Sequence, residues 1–86
     1  MTHVKGIPVV ALAPAAGTVV GPAVANCPSG EQVVGGGAEI TETLNERGAV
    51  MSSYPASLTM WTATAVVTKH AALSKLELTA YALCTP

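Results

Sequence analysis

Few residues in this chain could do covalent or acid–base chemistry. Three serines lie close together, Ser52, Ser53 and Ser57, and the two histidines, His3 and His70, fall near the N-terminus and in a predicted turn. A hydrolytic triad needs a nucleophile, a base beside it and a carboxylate that orients the base. There is no Asp, and no carboxylate adjoins either histidine in sequence, so only a tertiary approach of Glu31, Glu39, Glu42 or Glu46 to His70 could build one. The expectation is a protein that is not an enzyme. Gly35-Gly36-Gly37 is glycine-rich enough to cradle a phosphate, but no Lys-Ser/Thr pair follows it and no helix opens there. The plainer reading is a strand that is kinked or closely approached by another backbone. No ligand cluster surrounds Cys27 or Cys84, so neither a metal nor a cofactor is expected. The two cysteines read as a disulfide, with two buried free thiols as the alternative; closing so long a loop would contribute roughly 4 kcal/mol in the chain-entropy model.

The elements that would position these residues are strands. Val-rich runs bounded by Pro and Gly recur along the whole chain, and a helical period is absent. Two strands are expected in an N-terminal lead-in, residues 1–26: Thr2 to Leu12 and Gly17 to Asn26, with Pro8 and Pro22 at an edge, a bulge or an unpaired position. Ala23-Val24-Ala25 has the small-x-small form of a signal-peptidase site. Pro8, Pro14, Gly17, Gly21 and Pro22 nevertheless interrupt the apolar stretch, which predicts neither a signal helix nor a membrane span, and the lead-in is expected to stay with the fold.

Cys27-Pro28-Ser29-Gly30 is a turn by its chemistry, Pro presetting φ and Gly closing it. Strands then follow over Gln32 to Thr43, Ala49 to Tyr54, Leu58 to Lys69 and Leu73 to Cys84. Within the fifth, Trp61, Ala63, Ala65 and Val67 share one face and Met60, Thr62, Thr64, Val66 and Thr68 the other. In the last, Leu76, Leu78, Ala80, Ala82 and Cys84 point one way, leaving Tyr81 and Leu83 on the opposite side as possible subunit contacts. The expected fold is therefore all-β, a single small antiparallel β-sandwich or barrel of about six strands over residues 1–86.

Composition bears on partners. Of the 86 residues only 10% are charged and none is Phe, so the core is thin and the surface short of the Lys and Glu that keep a lone monomer soluble. A subunit of an assembly is expected, most simply a homotrimer, with the lead-in (Val4, Ile7, Val9) docking on a neighbour by strand pairing. A net charge of -1 offers no electrostatic case for nucleic acid or an anionic membrane.

One set of motifs resembles a known family. Cys27-Pro28-Ser29-Gly30, Val33-Val34-Gly35-Gly36-Gly37, Ser53-Tyr54-Pro55, Trp61-Thr62-Ala63-Thr64-Ala65 and Leu78-Thr79-Ala80-Tyr81-Ala82-Leu83-Cys84 together are similar to a small disulfide-linked β module. That module occurs in actinobacterial extracellular proteins and in virion proteins of phages that infect those bacteria. The resemblance covers about residues 17–86. It implies a Cys27–Cys84 bond and a structural or adhesive role, and it implies no catalytic residue. The expected function is a capsid decoration, or cement, subunit on the outer surface of a phage virion, with the major capsid protein as partner. The alternative is a secreted or cell-surface binding module of an actinobacterium, in which Tyr54, Trp61 and Tyr81 would form an aromatic platform.

Overall fold

The computed structural model describes residues 1–86, which form seven strands: β1 (Thr2–Lys5), β2 (Val9–Leu12), β3 (Val19–Asn26), β4 (Gln32–Glu42), β5 (Arg47–Pro55), β6 (Met60–Lys69) and β7 (Lys75–Thr85). They make two antiparallel sheets. In the first, β4 pairs with one edge of β7 along its length, while β1 and β2 share the other edge, β1 against Tyr81–Cys84 and β2 against Lys75–Leu78. In the second, β6 lies between β3 and β5. The all-β, disulfide-bonded fold is as expected, in the two-sheet rather than the barrel form and with seven strands in place of about six.

The first strand differs from expectation because it is broken. Pro8 cannot donate to a ladder, and Gly6 passes so close to β3 that a Cβ there would collide with the Val24 carbonyl. Hence Thr2 to Leu12 becomes two four-residue strands, rejoined to β7 by the Gly6 N–H, which donates to the Ala80 carbonyl at 2.8 Å. Of the three positions open to it, Pro22 takes a bulge: the β3 register shifts between Val20 and Ala23, across the cis Gly21–Pro22 peptide.

The core lies between the sheets and is built from small residues. Val20, Ala23 and Ala25 of β3 and Ala63, Ala65 and Val67 of β6 face Leu76, Leu78, Ala80, Ala82 and Cys84 of β7. Six of these eleven are alanine, and alanine buries little apolar area per residue. Consequently the two ends of the sandwich carry much of the specificity. At one end the Cys27–Cys84 disulfide joins the chain just after β3 to the close of β7. Trp61 packs there against the core, its indole seated over Gly36, where any Cβ would overlap the ring. The close approach expected at the glycine triplet is thus made by an indole as well as by backbone. At the other end sits a buried carboxylate.

Candidate functional site

That carboxylate is Glu46, fully buried in the loop between β4 and β5. Its Oε1 accepts from the Ala71 amide at 2.9 Å and from the Ser74 hydroxyl at 2.7 Å, and His70 Nδ1 lies 4.0 Å away. Burial pushes the carboxyl pKa up, but the Ser74 hydroxyl, the Ala71 amide and His70 together hold it below its ordinary value. Its Oε2 is buried without a partner. The structure therefore does bring a serine, a histidine and a glutamate together, which the sequence left open for His70 and Glu46.

The arrangement is a loop clasp. His70 Nδ1 donates to the Pro14 carbonyl at 3.0 Å, and the Ser74 hydroxyl is bonded to the carboxylate rather than to the imidazole. A nucleophilic serine needs the reverse order, hydroxyl to imidazole to carboxylate. Ser74 is also buried, and no cavity opens beside it. What the cluster does is bind three connections together. Ala13 N donates to the Ser74 carbonyl, Thr43 Oγ1 accepts from Lys75 N at 2.8 Å, and Arg47 Nη1 bonds the Glu46 carbonyl at 2.7 Å.

Three exposed leucines lie beside the clasp. Leu12, Leu44 and Leu73 are 79%, 66% and 95% exposed, each within two residues of a group in the clasp. Leu44 and Leu73 sit at φ 55° and 59°, a region L-residues with a Cβ seldom enter and occupy only when their surroundings impose it. The sequence carried no sign of the clasp, because it joins residues from 25 to 56 positions apart.

The other predicted residues fall elsewhere. Cys27 and Cys84 are bonded, with Cα atoms 5.8 Å apart, and neither is a free thiol. Val4 and Val9, on the lead-in, pack against the chain's own core, whereas Ile7 in the break between β1 and β2 is exposed. Tyr81 and Leu83 lie half-buried on the outer face of the first sheet, and Tyr81 OH donates to Glu39 Oε1 at 3.1 Å. Burial, then that bond and the Glu39 charge, raise the phenol pKa. The three aromatic residues do not form one platform: Trp61 faces the core and donates through Nε1 to Ser53 Oγ at 2.8 Å, while Tyr54 and Tyr81 belong to different sheets. The outer face of the second sheet, with Val24, Tyr54, Thr62, Thr64 and Val66, carries no charge.

No family model matches the chain, and no curated protein or solved structure is significantly similar to it.

Proposed function

We propose that this chain is a non-enzymatic structural subunit of a larger assembly, in concrete form a decoration subunit seated on the outside of a phage capsid. The observation that carries this reading is the exposure of Leu12, Leu44 and Leu73 on the three connections that the Glu46 clasp ties together. Pre-ordered loops lose little entropy on docking, so exposed leucines on them convert burial into affinity more efficiently than mobile ones. The molecule is elongated, 44 × 17 × 13 Å. A subunit of that shape standing on a lattice by its tip, or lying along it, adds buried area to the assembled state only, which shifts the equilibrium toward assembly. The resemblance of the cysteine, glycine-triplet and Tyr-Ala-Leu-Cys motifs to phage virion modules supports the particle as the setting, and the disulfide is compatible with an oxidising one.

The test is quantitative mass spectrometry of gradient-purified particles. A fixed, high ratio of this chain to the major shell protein is expected, and a Leu44→Ser/Leu73→Ser variant, still folded by its melting curve, should be lost from the particles. The chain found only free in the supernatant would instead mean a secreted module and would overturn the proposal.

A further inference from the structure

The sandwich has four sheet edges, and they are treated differently. The β1–β2 edge and the β3 edge face each other where Gly6 meets the Val24 carbonyl. The β4 edge is bulged at Val34, carries Glu39 and Glu42, and runs beside β5, where Glu42 Oε2 accepts from the Gly48 amide at 2.7 Å. The β5 edge is the exception. From Gly48 to Pro55 it bears no charge, and none of the backbone groups of residues 49–55 is bonded outside the ladder with β6. Natural edges are ordinarily blunted by lysine, proline or an inward charge, and here the only such devices are register shifts at Arg47/Gly48 and at Met51 and a proline in the last position. The side of the core next to it is also unsealed. Val50 pairs with the inward-facing Ala65, yet it is 44% exposed, and Met51 beside it is 54% exposed.

We propose that β5 is a self-association edge, at which two copies of this chain pair their β5 strands antiparallel about a two-fold axis. The charges choose the occupant and the direction. Arg47 opens β5 and stands opposite Lys69. A parallel pairing would bring the two Arg47 side chains together, whereas the antiparallel one sets them about 25 Å apart, beyond the reach of screened repulsion. Uncharged residues then meet uncharged residues, so the patch is self-complementary in charge, and an isologous contact needs self-complementarity. The product is one six-stranded sheet, β3-β6-β5-β5-β6-β3, whose outer face stays free of charge across the axis.

Size sets the strength. A strip about 26 Å long and as wide as the molecule, 17 Å, presents roughly 450 Å² per copy, so about 900 Å² in all, below stable specific interfaces and in the range of weak, transient ones. The pair is therefore concentration-dependent, and side-by-side placement on a surface raises the effective concentration that completes it. This contact is separate from the leucine tip, and it is read on the purified chain with no particle present, so its failure leaves the decoration reading standing.

Sedimentation equilibrium of the oxidised chain, from about 10 μM to about 1 mM, tests it. The expected mass rises from one chain to two, and the amides of Ala49–Tyr54 gain about ten-fold hydrogen-exchange protection over the same range. Met51→Lys, at an exposed position, should weaken pairing at least about ten-fold, while Val10→Lys on the other sheet should leave it unchanged. A mass that stays at one chain, a mass of three chains, or a two-chain mass without protection in β5 would each overturn the proposal. Exchange on the unaltered chain decides the matter even where Met51→Lys proves unstable.

Discussion

Gly36 and Gly37 are neighbours in sequence and opposites in environment. A Cβ at Gly36 would overlap the Trp61 indole and stand 2.5 Å from the Tyr81 carbonyl oxygen, while one at Gly37 would meet nothing within 4 Å. Gly36→Ala should therefore cost about 1–3 kcal/mol by overpacking and shift the emission of the single tryptophan. Gly37→Ala should be close to neutral, and urea titration followed by that fluorescence measures both. Glu46 belongs to the same scale. Its folded pKa lies below the unfolded 4.5, so the unfolded chain binds the extra proton as pH falls. The stabilisation is complete above pH 4.5 and is lost as pH drops through the lower, folded value. Glu46→Gln should flatten the acid limb of the melting temperature against pH in that window. An acid limb unchanged in Glu46→Gln would show that the clasp is not what titrates.

Among the elements, β7 is the one every other part of its sheet depends on. It pairs with β1, β2 and β4, and its inward side chains from Leu76 to Cys84 are fully buried. Leu76→Ala removes one of the few large core side chains at the clasp end and should cost about 2–5 kcal/mol, measurable by denaturant unfolding. At the other end the disulfide links residues 57 apart, and Cys84→Ser should cost about 2–5 kcal/mol. An unchanged midpoint in non-reducing denaturant would mean that the alanine core suffices. Comparing Leu76→Ala with Cys84→Ser tells which end of the sandwich limits stability.

Across the whole molecule, stability should be unevenly spread. β6 and β7 are central and bonded on both edges, whereas β1 contributes four residues at an edge. Hydrogen exchange should therefore proceed first in β1 and the break at Gly6–Pro8, and last in β6 and β7. Equal protection throughout would indicate a single cooperative unit. Length matters here too: a fold only 17 by 13 Å in section has little interior, which is why end clasps and partner contacts weigh so heavily in it.

Much of this was legible in the residues themselves. The alternation in β6 and β7 assigned the inner faces correctly, because a period of two is a local property of the backbone. The cysteine pairing could be read because a chain with two cysteines has one possible internal bond. That Pro22 stands off the regular β3 ladder follows likewise from a missing N–H. Three things were decided only by tertiary structure. Gly6 breaks the first strand because β3 passes over it, and Gly36 is needed because Trp61 of the facing sheet sits there. The Glu46 clasp and the leucines beside it draw on three loops far apart in sequence. Periodicity reports which way a side chain points relative to its own strand; what it then meets depends on how the sheets stack, and that information is held in no single stretch of the chain.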